Sequence, residues 1–262
     1  IKFIEAFLYE KKYIFNIFYC ESLNIYNKVN IFKKPLEYID FNEKISLNKN
    51  YRQQKNIIDF SNRFCENANE YIKTLRNNVN RDLYKKSNSI LKNGITSQIV
   101  KVDDLEDQIN AILWEIEYLV KNKGLDYGDI AIVFPYNKKK LKNGKTIYFQ
   151  YLLRKALDDV NIPYIIGDDD LTKHAKKTGI TLSNLYFIKN LEYKAVVFCE
   201  LEMLYNQTIN KEDQDYQIND FIGDLNKIYM VINRASEYLT ITTTFNENSS
   251  ELIKILVNSI NT

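Results

Sequence analysis

Hydrophobic and polar positions along the chain follow two periods in turn, and their order predicts an α/β fold. Short apolar runs bounded by polar residues predict strands buried on both faces at 129–134 (DIAIVF), 162–166 (IPYII) and 195–199 (AVVFC). Further strands are predicted at 43–47, 96–102, 180–183 and 238–243. Helical spacing sets in after Tyr51-Arg52-Gln53, where Ile57, Ile58, Phe60, Phe64 and Cys65 share a face. A long helix carries Leu105, Ile109, Ile112, Leu113, Ile116 and Leu119, with Asp103 or Asp104 as its N-cap and Gly124 as its stop. Helices are also predicted at 1–11, 147–160, 218–235 and 250–260, and a buried strand at 13–19. The segments 66–93 and 200–217 are polar, the first read as helix plus loop and the second as loop. Strands alternating with helices imply parallel, right-handed crossovers and a doubly wound sheet flanked by helices.

Composition narrows this only slightly. With 262 residues, 45% hydrophobic and 27% charged, the chain is long enough to bury a core and ordinary for a globular protein. A formal charge of +2 gives no global attraction to nucleic acid, so any basic surface must be local. Cys20, Cys65 and Cys199 are odd in number, far apart and mostly set in apolar runs, which points to reduced buried thiols and a cytoplasmic setting. No apolar stretch reaches the roughly 18 residues of a membrane span. The start without Met, inside a predicted helix, suggests a piece of a longer protein.

Three features invite chemistry and then decline it. Gly144-Lys145-Thr146 looks like a phosphate loop, but Lys139 stands where the earlier glycine of GxxxxGK belongs, and a solvated basic loop is the better reading. Asp168, Asp169 and Asp170 are adjacent, so their carboxylates diverge, and no metal site is assigned. His174, the single histidine, stands in a polar loop with no partner pattern.

The segment Asn184–Val196 (NLYFIKNLEYKAV) is different, because it falls into register with a known motif. It resembles motif V of the UvrD/Rep-type superfamily 1 helicases, T-x-H-x-[SA]-K-G-L-E-[FY]-x-x-V, with Asn184, Tyr186 and Asn190 replacing Thr, His and Gly. Asn50-Tyr51-Arg52-Gln53 is similar to motif IV, N-Y-R-[ST], at a strand-to-helix junction. Lys227–Ala235 followed by the strand 238–243, with Arg234 ahead of Leu239 and Ile241, is similar to motif VI, with Asn233 in place of Thr. Cys20–Tyr26 has the spacing of motif III, the polar Asp and Gln becoming Cys20 and Leu23. On residue chemistry alone, Tyr51 and Arg52 also fit a surface turn, and Arg234 a cation at a helix C-terminus.

The resemblance implies a RecA-like fold without a Walker A: residues 1–30 as the tail of a first RecA-like domain, 31–262 as the C-terminal one. It implies an ATP site with Mg²⁺, bound jointly with that N-terminal RecA-like domain. Tyr51 would stack on the base and Glu192 bond the ribose beside Asn190, with Arg52 and Arg234 acting as phosphate-facing arginines in hydrolysis. It implies single-stranded DNA as partner, touched by Asn184, Tyr186 and Lys189. Near 170–179 family members such as UvrD and Rep carry a large insertion that is missing here, which suggests a compact variant. The chain alone is expected to be inactive as an ATPase. The altered motif positions leave open a degenerate helicase-like domain that binds nucleic acid or protein without turnover, and an unrelated α/β nucleotide-binding fold.

Overall fold

The computed structural model describes residues 45–75, 82–91, 97–137, 139–140, 146–167, 178–204 and 214–260, with backbone only at 139–140, 146–147 and 214–217. The expected motif III region, the acidic triplet, His174 and the Gly144-Lys145 turn lie outside the described residues.

In chain order the elements are β1 (Lys49–Asn50), α1 (Lys55–Leu75), β2 (Asn88–Ser89), β3 (Gln98–Lys101) and α2 (Leu105–Lys123). Then come β4 (Ile130–Phe134), β5 (Lys139–Lys140), β6 (Thr146–Ile147), α3 (Phe149–Asp159), β7 (Tyr164–Ile166) and β8 (Ile180–Asn184). The chain continues with β9 (Tyr193–Phe198), α4 (Gln214–Ile232), β10 (Ala235–Thr243) and α5 (Glu251–Asn258). Six strands form one sheet in the order β3-β10-β9-β4-β8-β7, and every pairing in it is parallel.

Strand β4 is apolar throughout because both its faces are covered. In β4, Ala131 and Val133 join a layer with Ile57, Phe60 and Phe64 of α1, Leu225 and Ile228 of α4 and Leu252 and Leu256 of α5. Ile130, Ile132 and Phe134 face the other way, toward Ile112, Ile116 and Leu119 of α2 and Leu153 and Leu157 of α3. Each of these Val, Leu, Ile and Phe side chains contributes about 1.5–3 kcal/mol by leaving water. The caps of α2 are those the sequence implies: the Asp104 carboxylate accepts from Asp107 N–H at 2.9 Å, and Gly124 takes φ 70°. No described helix is long and apolar enough to cross a membrane.

Two predicted boundaries need correction. Residues 45–48 form no strand, and pairing begins only at Lys49. Ile45 and Leu47 are 72% and 82% exposed, so among the described residues no layer buries their alternation. The helix predicted across 218–235 ends at Ile232, and Ala235 already belongs to β10, paired with Tyr193. The Asn233 side chain closes the helix by donating to Tyr229 O at 2.7 Å, which leaves Arg234 at the hinge between helix and strand.

Candidate functional site

The chain enters α1 through a tight turn built by Asn50. Its side-chain oxygen accepts the N–H groups of Arg52 and Gln53, both at 3.0 Å, and its amide donates to Gln53 Oε1 at 2.8 Å. Gln53 is fully buried and donates to Ala235 O at 2.8 Å, while Gln54 N–H donates to Ser236 O at 2.9 Å. The turn is therefore bolted to the start of β10. Tyr51, between these anchored residues, is left 69% exposed.

Arg52 reaches across the amino ends of β9 and β10. Its guanidinium donates to the Glu192 carboxylate and, at 2.8 Å, to Asn233 O. Arg234 lies next to it, half-buried, donating from Nε to Met230 O at 3.2 Å and from Nη1 to Leu191 O at 3.5 Å. Burial and the neighbouring Arg52 both work against the Arg234 charge, and Glu192 works in its favour. Two guanidiniums, one carboxylate and an open aromatic ring thus share one rim, although residues 52, 192 and 234 are far apart in sequence. Asn190, just before Glu192, takes φ 74°, a left-handed backbone that asparagine tolerates better than most residues.

This rim is at the amino ends of the strands, whereas open α/β sheets usually hold ligands at the carboxyl ends. The other group predicted from sequence begins at the opposite, carboxyl rim. Asn184 ends β8, and its side-chain oxygen accepts from Tyr186 N–H at 2.9 Å and Phe187 N–H at 3.3 Å. Tyr186 follows, 36% exposed, and Lys189 is half-buried further along the connection. The structure therefore separates Asn184 and Tyr186 from Arg52, Glu192 and Arg234, and joins them through residues 185–192.

Next to Tyr186 stands a cluster that sequence reasoning did not find. Lys227 of α4 is buried with Asp224, Nζ to Oδ1 at 2.6 Å, and also reaches the Tyr136 hydroxyl at 3.4 Å. Burial pushes the Asp224 carboxyl up to about 6, against the pull of Lys227.

The profile of the UvrD-like helicase C-terminal domain matches residues 45–170, slightly under half the chain. Over that stretch the chain is similar to the UvrD-like helicase C-terminal domain. It is similar to one subunit of the ATP-dependent helicase/deoxyribonuclease of Bacillus cereus, at 28% identity over 120 residues in strain AH187 and 29% over 120 in strain G9842. The corresponding protein of Bacillus anthracis matches at 28% over 120 residues. Each match takes in 45% of this chain and 10% of the relative, so the chain spans about a tenth of the length of these relatives. A crystal structure of the C-terminal domain of a possible DNA helicase from Lactobacillus plantarum WCFS1 overlaps it with a TM-score of 0.48 at 16% identity, covering 78% of this chain and 93% of that one.

Tyr51, Arg52 and Tyr136 fall inside the matched stretch, and Asn184 through Arg234 lie beyond it. Gln53 and the Asp224–Lys227 pair are the unanticipated polar anchors. A lysine three residues after an aspartate, set against the apolar stripe of Phe221, Leu225 and Ile228, was the signal for the pair.

Proposed function

We propose that this chain serves as the C-terminal motor domain of a UvrD/Rep-like ATP-dependent DNA helicase. It would supply one wall of an ATP site and part of a single-stranded DNA track, the other wall coming from an N-terminal RecA-like domain of the same protein. The observation that carries this reading is the meeting of Arg52, Arg234 and Glu192 beside the open Tyr51 ring. Those groups suit a nucleoside triphosphate: an aromatic face for the base, a carboxylate for ribose hydroxyls, and two cations for the phosphates. Hydrolysis of the bound triphosphate would supply the free energy for domain closure and reopening.

Arg52 and Glu192 hold one another while still 37% and 52% exposed. A pair so open to water is worth only about 0.2–1 kcal/mol, so a phosphate can displace Glu192 from Arg52 at small cost. Arg234 is the better placed to act as an arginine finger, because its hinge fixes the guanidinium against two backbone carbonyls. No group of three or more potential metal ligands occurs among the described residues. ATP with Mg²⁺ would be bound jointly with the N-terminal RecA-like domain.

The test is single-stranded-DNA-stimulated ATP hydrolysis by the full-length protein. Arg234→Ala is expected to lower kcat by about 10³-fold or more, and Arg52→Ala to lower it substantially, with the thermal midpoint little changed. Unaltered hydrolysis in both variants would sink the proposal. A second reading is favoured by the Arg234 bonds to Met230 O and Leu191 O, which make it a clamp between α4 and β9. On that reading the domain is a non-catalytic binding module, and Arg234→Ala loses stability while any hydrolysis persists.

A further inference from the structure

Helix α2 carries two ordered stripes, and the fold uses only one of them. Ile112, Ile116 and Leu119 are buried against the sheet, with Ile109 and Leu113 packed beside them. On the other side stand Asp107, Ala111, Trp114, Tyr118 and Lys121, spaced four, three, four and three residues apart. That spacing keeps side chains in line along one face of a helix. Trp114 is the single tryptophan of the chain and is 62% exposed. Its indole is stacked on Tyr118, ring centres 5.5 Å apart and planes 5° from parallel, and Lys123 Nζ lies 5.0 Å from the centre of the Tyr118 ring. A stacked pair of this kind offers large, stiff contact area at little conformational cost.

An exposed aromatic residue is ordinary by itself. What sets this stripe apart is its symmetry. Trp114 is the middle residue of α2, and Asp107 and Lys121 lie seven positions before and after it. The first turn of the helix is acidic through Glu106 and Asp107, and the last turn is basic through Lys121 and Lys123. A second α2 laid antiparallel on the first at Trp114 sets Asp107 opposite the partner's Lys121 and Lys121 opposite the partner's Asp107. The small Ala111 then leaves room for the partner's Tyr118. A parallel arrangement would set acid against acid and base against base. Lys121 already meets Glu117 of its own helix, but the two side chains are 71% and 57% exposed, so that pair exchanges at little cost.

We infer that this stripe is an interaction surface for a second copy of the chain, two α2 helices packing antiparallel about a twofold axis at Trp114. The contact is isologous, each copy offering the same face. It lies midway between the two rims and depends on neither the nucleotide nor the DNA reading. One pair of helices, each ~28 Å long, buries less than a standard interface, so the dimer is weak, with a Kd of about 10–100 µM.

Sedimentation velocity of the chain from about 1 to about 300 µM tests this. The sedimentation coefficient is expected to rise from monomer to dimer. Fluorescence, which reads Trp114 alone, shifts to shorter wavelength over the same range. Trp114→Glu, which sets two carboxylates on the axis, stays monomeric. Asp107→Lys and Lys121→Asp each make the two ends of the stripe alike and weaken self-association about 10-fold, whereas the two variants mixed one to one pair about as tightly as the parent. Lys155→Glu, on the exposed side of α3, changes nothing. Circular dichroism confirms that each variant is folded, and if Trp114→Glu is not, the charge exchange decides. A parent chain that stays monomeric to the top of the range overturns the inference. So does a dimer that the folded variants at 107, 114 and 121 leave within twofold of the parent, because it would use another surface.

Discussion

Replacing Lys227 with Met should produce a loss of stability that depends on pH in a specified way. Methionine keeps the length of the lysine stem, so the change removes chiefly the ammonium group that meets Asp224 Oδ1 at 2.6 Å. The side chains of Lys227 and Asp224 are only 6% and 9% exposed, so water cannot replace the lost partner. Stranding one member of a buried pair costs about 3–5 kcal/mol when the remaining group is charged. Asp224 can escape by taking a proton. In the parent its carboxyl is already pushed up to about 6 by burial, despite the pull of Lys227, and without Lys227 it moves higher. A carboxyl raised in the fold gives stability that is present below its unfolded value of 3.8 and lost as pH climbs through the folded one. Above pH 6 the parent therefore releases its proton while the variant keeps it. The gap between them widens by up to about 1.4 kcal/mol per pH unit. Below pH 6 both are protonated, and the gap shrinks to the roughly 1 kcal/mol of a lost hydrogen bond. The neighbouring Asp220 is common to both proteins and cancels in the difference. Urea unfolding followed by circular dichroism at pH 5, 6, 7 and 8 measures this directly. A difference that stays constant across that range, or one below about 1 kcal/mol at pH 8, would refute the buried pair.

Other expectations are simpler to check. A Cβ on Gly179 would sit 2.7 Å from Pro163 C, Pro163 O and Tyr164 N, all backbone atoms. Gly179→Ala should therefore cost about 1–3 kcal/mol in urea unfolding, and a variant as stable as the parent would contradict the close approach of that turn to β7. Cys199 is fully buried with its thiol pushed well up, and burial takes Cys65 to about 12. Alkylation at pH 8 with peptide mass mapping should leave both unmodified in the native protein and label both in guanidinium; native labelling of either would count against its placement. Asn190 has φ 74°, so Asn190→Gly should be tolerated, while Asn190→Val should lose about 1–3 kcal/mol. Equal stability of the two variants would show that the left-handed turn is not required.

Local signals were the legible ones. Asp104 and Gly124 bracket α2 because a cap needs only its own few residues, and the apolar runs of β4 and β9 announce burial on both faces. Boundaries set by contacts across the fold were not. Ile45 and Leu47 alternate with polar residues like a strand, yet no layer among the described residues covers them. Ala235 continues the apolar stripe of α4, but its pairing with Tyr193 recruits it into β10. The same limit governed the candidate site. Arg52, Glu192 and Arg234 were singled out by resemblance to family motifs, whereas the rim they occupy depends on strand register. Lys227 was invisible as a buried charge because its facing partners, Tyr136 and Tyr186, come from two other segments.

That register also explains how two separated groups can belong to one device. Asn184 is level with Phe134 at the carboxyl end of β4, while Tyr193 lies two residues beyond the pairing of Ala195 with Ile130 at the amino end. The distance along the sheet between these levels is ~20 Å at the usual rise of a strand. Residues 185–192 cover it as a connection of eight residues, shorter than the dozen or more that a parallel crossover usually takes. The segment is wound through turns, with Ile188 N–H donating to Asn184 O at 3.2 Å and Leu191 N–H to Ile188 O at 3.0 Å. Leu185 and Ile188 are buried on the α1 and α4 side, Asn184 fixes the first turn, and Asn190 sets the last one. A ligand that displaced Glu192 from Arg52 would pull on a strap whose other end carries Tyr186, and a base pressing on Tyr186 would push back the same way. On the proposed function, coupling between a nucleotide wall and a DNA track would require no large rearrangement of this domain, only that the strap stay short and pinned.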